Sequence, residues 1–98
     1  MNKRKKILIV EDEQSFRQVM KFRLQEASYE VILAEDGLRG YELFTEMRPD
    51  IVVTDLSLPE LNGLELTKRI KAISSDIPII VITAFGDVQT AVASMKLG

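Results

Sequence analysis

The run Ile51-Val52-Val53-Thr54-Asp55, set between Pro49-Asp50 and Pro59, constrains the fold of this chain more than any other stretch. Four consecutive β-branched residues bounded by turn formers read as a short strand buried on both faces. Such strands belong to parallel sheets covered by helices on either side. Asp55 falls where the strand runs out, so its carboxylate emerges at the strand's carboxyl end, the edge at which open α/β sheets bind ligands. A carboxylate in that position can be a nucleophile, a metal ligand or a loop cap.

The remaining chain alternates strand and helix around this element. Residues 7–10, Ile-Leu-Ile-Val, form a first, central strand, followed by Glu11-Asp12-Glu13. A helix over 15–26 carries Phe16, Val19, Met20 and Leu24 as one apolar stripe. Residues 29–34 form the second strand, and Glu35-Asp36-Gly37 turns into a second helix whose buried face is Leu38, Tyr41, Phe44 and Met47. Arg48-Pro49-Asp50 stops that helix. After the strand with Asp55, the loop 57–63 contains Pro59 and Asn62-Gly63, both turn formers. A third helix is marked by Leu66, Ile70 and Ile73, and a fourth strand spans 79–83. Asp87 then caps a fourth helix with Val88, Ala91, Val92 and Met95 on one face. Fourfold β-α alternation with short connections predicts a doubly wound parallel α/β sheet, as one domain over residues 1–98.

Composition removes several chemistries. The chain has no cysteine and no histidine, which excludes disulfides, thiolate or imidazole metal sites, and imidazole catalysis. Any bound metal must be hard and oxygen-ligated. A net charge of −2 gives no bulk attraction to nucleic acid or anionic membranes, so neither is expected as a partner. The basic start, Lys3-Arg4-Lys5-Lys6, precedes an apolar run too short for a signal peptide, and no run reaches membrane-spanning length. A cytoplasmic protein is the expectation.

Glu11 and Asp12 follow strand one, Asp55 follows strand three and Thr83 follows strand four, all at the same sheet edge. With strands one and three adjacent, three carboxylates crowd one crevice and repel unless a cation joins them. Mg²⁺ suits such a site, and the combination suits phosphoryl transfer with an aspartate as nucleophile. Plainer readings compete. The three acids after strand one also cap a helix, Asp55 also makes an Asx turn, and Thr83 is also an ordinary strand residue.

Ile-Leu-Ile-Val-Glu11-Asp12-Glu13, Asp55-Leu-Ser-Leu-Pro-Glu-Leu-Asn-Gly63 and Val81-Ile-Thr83-Ala84 together resemble the receiver domain of bacterial two-component response regulators, over residues 5–98. The resemblance implies a flavodoxin-like fold and phosphorylation of Asp55 by a sensor histidine kinase with Mg²⁺, controlling a transcriptional output. Such a domain is a phosphoacceptor and not a turnover enzyme. Glu11 and Asp12 match the family's acidic pair, with Asp12 the direct metal ligand and Glu11 standing where aspartate is commoner. Ser57 matches the residue whose backbone carbonyl completes the metal site, and Thr83 the hydroxyl that senses the phosphoryl group. Ser57 and Phe85 match positions that tune phosphoryl lifetime. Residues 83–98 resemble more narrowly the receivers of nitrogen-regulator-type activators, which couple to an ATPase acting on sigma-54 RNA polymerase.

A receiver of that family continues with a fifth strand, a lysine at its end and a fifth helix, so the resemblance implies a (βα)4 portion that is C-terminally incomplete and without its effector. Strand four then becomes an apolar edge, which invites a homo-oligomer or swapped dimer. Lys96 reads as a surface residue, not a substitute for that lysine. The alternative function is a receiver-like interaction or dimerisation module that is not phosphorylated. An aspartyl phosphatase is disfavoured by Ser57, which occupies the place of a second aspartate, and a dinucleotide site by acids in place of glycines after strand one.

Overall fold

Each apolar run of the sequence becomes a strand of one parallel sheet. In a computed structural model, which describes residues 4–58 and 60–82, the strands are β1 (Lys6–Val10), β2 (Glu30–Ala34), β3 (Ile51–Asp55) and β4 (Ile79–Ile82). Their spatial order is β2-β1-β3-β4, so the chain steps outward from β1 in both directions. The register places Val10 beside Ala34 and Thr54, and Asp55 beside Ile82. Sequence and structure therefore agree on a doubly wound sheet with β1 and β3 at its centre. Thr83, Phe85, Asp87, Lys96 and the fourth helix lie outside the described residues.

Side-chain alternation along β1 and β3 divides the core in two. Leu8, Val10 and Val52 face the helices α2 (Gly37–Met47) and α3 (Gly63–Ile73), where they meet Leu43, Phe44, Leu66, Ile70 and Ile77. Ile7, Ile9 and Val53 face the opposite side, covered by Met20 and Leu24 of α1 (Gln14–Glu26). Each fully buried aliphatic side chain stabilises the fold by about 1.5–3 kcal/mol, so the first cluster carries most of the hydrophobic driving force.

The helices bury faces that differ from the apolar stripes. On α1 only Met20 and Leu24 pack against the sheet; Phe16 and Val19 are 43% and 51% exposed. Among the described residues no other helix lies on that side to cover them. On α2 the buried residues are Gly37, Gly40, Leu43 and Phe44, while Leu38 and Met47 are exposed. Phe44 is buried and Tyr41 packs against the core as the stripe predicts, but the buried face extends to Gly37 and Gly40, which let the helix backbone lie close to its neighbours. A methyl group on Gly40 would stand 2.8 Å from a Val10 methyl. On α3, Thr67 is buried in place of Ile73, its hydroxyl donating to the Gly63 carbonyl at 2.8 Å.

Helix ends follow local chemistry. The Asp36 carboxylate accepts from the Arg39 amide at 2.7 Å and caps α2; the Asn62 side chain accepts from Glu65 at 2.9 Å and caps α3. Each satisfies an amide that the first helical turn leaves without an internal partner. Asn62 and Gly63 are thus a cap and a first helical residue instead of the centre of a turn. Arg48 ends α2 in the left-handed region, φ 49°, and Pro49 prevents its continuation.

Candidate functional site at the carboxyl edge of the sheet

The crevice lies where β1 and β3 end side by side and the chain departs from them in opposite directions. Glu11 follows β1 and its amide donates to the Ala34 carbonyl at 3.0 Å, which keeps the backbone in line with the sheet for one further residue. Asp55 is the last residue of β3, and the next amide, Leu56, donates to the Ile82 carbonyl at 2.9 Å. Both acids share the odd-numbered parity of Ile7, Ile9 and Val53. One carboxylate oxygen from each of Glu11, Asp12 and Asp55 lies within 4.8 Å of the others. Glu11 and Asp55 are buried, and Asp12 is exposed.

Two like charges at this separation repel by roughly 3 kcal/mol at an effective dielectric constant of about 20. The consequence falls on Glu11, whose carboxyl is pushed from 4.5 up to about 7. Burial is the main cause, since Glu11 is only 2% exposed; the negative charge of Asp55 adds to it, as do hydrogen bonds with Asp12 and Asp55 that favour the protonated form. The Glu13 amide opposes the shift by donating to Glu11 Oε2 at 2.8 Å. A divalent cation would replace that proton, and an all-oxygen donor set of three carboxylates fits a hard ion such as Mg²⁺.

The loop after Asp55 folds back onto it. The Ser57 amide donates to Asp55 Oδ1 at 3.2 Å, and the Gly63 amide donates to the Leu56 carbonyl at 3.0 Å. Asp55 therefore makes the Asx-type turn weighed from sequence while also standing in the acidic cluster. A methyl group on Gly63 would overlap the Asp55 carbonyl oxygen, so only glycine lets α3 begin there. The buried Thr54 hydroxyl donates to that same carbonyl at 3.0 Å.

The acids after β1 are not used as a helix cap. Glu13 occupies the N-cap position of α1 without a side-chain hydrogen bond to it. The structure thus brings together Glu11, Asp12 and Asp55 and places Ser57 beside them, whereas Thr83 follows the last described residue of β4. Sequence reading passed over Arg17, whose guanidinium donates to the Glu11 carbonyl at 2.7 Å. Its signal was a cation in the first turn of α1, facing back along the chain. Gly37 and Gly63 were read only as turn residues and Gly40 was passed over, because close approach leaves no mark in hydropathy.

Comparison with known proteins accords with this geometry. A model of the response regulator receiver domain family matches residues 7–98. The chain is 39% identical over 95 residues to the probable transcriptional regulator ycf27 of Guillardia theta, covering 97% of this chain and 37% of that protein. It is 37% identical over 93 residues to the response regulator MprA of a Mycobacterium species, covering 95% and 40% respectively. The chain thus spans about two-fifths of the length of these curated relatives. Among solved structures, a response regulator receiver domain protein from Clostridium thermocellum superposes with a TM-score of 0.89 at 35% identity, over 96% of this chain and 76% of that one. With a sheet, a sheet edge and a sequence that agree over nearly its whole length, the chain belongs to the response regulator receiver domain family.

Proposed function

We propose that this domain accepts a phosphoryl group on Asp55 from the phosphohistidine of a sensor histidine kinase. An Asp55 oxygen forms a bond to phosphorus as the P–N bond to the kinase imidazole breaks, and the departing ring nitrogen takes a proton. The observation that carries this reading is the convergence of Glu11, Asp12 and Asp55 within 4.8 Å at the edge where β1 and β3 separate. Those three carboxylates, with the Ser57 carbonyl, would hold Mg²⁺. When bound, the ion supplies positive charge to phosphoryl oxygens that the carboxylates would otherwise repel. The Ser57 amide holds Oδ1 of Asp55, which orients the other oxygen for attack. Thr83, one residue beyond the partner of Asp55 on β4, would supply the hydroxyl that senses the phosphoryl group.

The domain would act within one receiver unit, at a protein–protein surface that alters a transcriptional output; the ycf27 relative, a probable transcriptional regulator, supports that direction. The nitrogen-regulator type rests on residues 83–98 alone, and its test is whether the output includes ATP hydrolysis. Among the described residues no helix is long and apolar enough to cross a membrane, and the proposed place of action of this domain is the cytoplasm.

The primary experiment incubates the protein with acetyl phosphate and Mg²⁺ and reads intact mass. One added phosphoryl group that is absent in Asp55→Ala supports the reading; an unchanged mass in a folded protein removes it. A second reading, a dimerisation module, is favoured by one observation. β4 pairs only with β3 among the described residues, and Ile80, beside Val53 in the register, is 52% exposed.

A further inference from the structure

The first turn of α2 touches the loop that follows Asp55, and it does so at a residue without a side chain. A methyl group on Gly37 would overlap the Leu61 carbonyl oxygen, with the Leu61 carbonyl carbon 2.6 Å away and its Cβ 2.9 Å away. These obstacles are mostly backbone, so they cannot rotate aside as a long side chain would. Leu61 belongs to the short segment between Asp55 and α3. That segment is closed at its base by the Gly63 amide on the Leu56 carbonyl, and it carries the Ser57 amide that holds the Asp55 carboxylate. The other side of the seat is firm. Gly37 is buried, Asp36 caps the helix through the Arg39 amide, and Gly40 one turn on is packed against Val10.

We propose that Gly37 is a positioning residue of the phosphoacceptor site: its bare α-carbon is the seat on which Leu61 rests, and through Leu61 it sets the Ser57 amide on Asp55. This rests on the function proposed above. Asp36-Gly37 then serves two purposes at once. The aspartate fixes where α2 begins, and the glycine allows the loop to reach it. An alanine at 37 raises helix propensity, so a local gain for the helix accompanies a loss at a site on another element.

The test compares wild type, Gly37→Ala and a substitution of Ile7, a buried residue of the other core cluster, chosen as Val or Ala to match the fall in melting temperature of Gly37→Ala. Two readings are made on each: the amide proton shift of Ser57, and the affinity for beryllofluoride with Mg²⁺ by calorimetry. In Gly37→Ala the Ser57 amide moves toward its position in Asp55→Ala, and affinity falls about tenfold or more, as for lost supporting contacts at metal sites. The Ile7 variant keeps the wild-type Ser57 shift and an affinity within about twofold, because Ile7 lies in the other core cluster, at the sheet end opposite Asp55. An unchanged Ser57 shift and affinity in folded Gly37→Ala overturns the proposal, as does an equal loss in both variants. Should Gly37→Ala lack a cooperative melt, Asp36→Ala, which loosens the same turn, is read by the same two measures and with the same two outcomes. Absence of beryllofluoride binding by wild type refutes the functional reading itself, a result distinct from wild-type binding that Gly37→Ala retains.

Discussion

Glu11 carries the most informative electrostatics of the molecule. Its carboxyl, pushed up from 4.5 to about 7 chiefly by burial, holds a proton more tightly when folded than when unfolded. The metal-free fold is therefore favoured below about 4.5, loses that advantage as pH rises toward about 7, and changes no further through this group above it. Urea unfolding of the metal-free protein should show falling stability across that window, and Glu11→Gln should flatten the decline. The same proton competes with a cation, so Mg²⁺ affinity should strengthen by about tenfold or less between about pH 6 and about pH 8. Calorimetry at the two values checks this, and an affinity independent of pH would contradict it. Ser57 and Arg17 act beside Glu11 in a different manner, since each fixes backbone or carboxylate geometry by a single hydrogen bond.

At the scale of elements, the starts of α2 and α3 are coupled. Asp36 caps the first and Asn62 the second, and Leu61, next to Asn62, rests on Gly37. Asp36→Ala and Asn62→Ala should each cost about 1 kcal/mol. Because the two caps meet through one contact, the double variant should depart from their sum by about 0.5 kcal/mol or more; chemical denaturation of the four proteins measures it. Gly40→Ala tests the closeness of α2 to β1. Helix propensity favours alanine by about 1 kcal/mol, but the methyl would press on a fully buried valine, and such overpacking costs about 1–3 kcal/mol. The expected net result is a less stable protein. A rise in melting temperature would mean that Val10 yields without cost.

At the scale of the whole molecule, the described residues cover the two faces of the sheet unequally. The side holding α2 and α3 encloses the larger core, while the other has α1 over Ile7, Ile9 and Val53 and leaves Phe16, Val19 and Ile80 exposed. If β4 is a site of self-association, sedimentation should show mass rising with concentration, and Ile80→Lys should abolish the rise, because a lysine on an edge opposes strand pairing. A wild type that stays monomeric at high concentration would remove that reading and leave the phosphoacceptor reading intact.

Hydropathy and turn chemistry alone determined the four strands, their parallel arrangement and the edge at which Glu11, Asp12 and Asp55 emerge. Strand identity follows from short β-branched runs, and a side chain at a strand's end has few places to go. Asp36 in the turn that opens α2 and Arg48-Pro49 as a stop were equally legible, since those effects reach only a few residues. Tertiary structure decided which helix faces are buried. Leu38 and Met47 of α2 lie outward and Gly37 and Gly40 inward, because the closeness of two backbones depends on what a residue lacks. It also decided that Glu11, not Asp12, is the buried member of the acidic pair, and that burial raises the Glu11 carboxyl. A charge's environment is set by every element packed around it, and no window of neighbouring residues contains that sum.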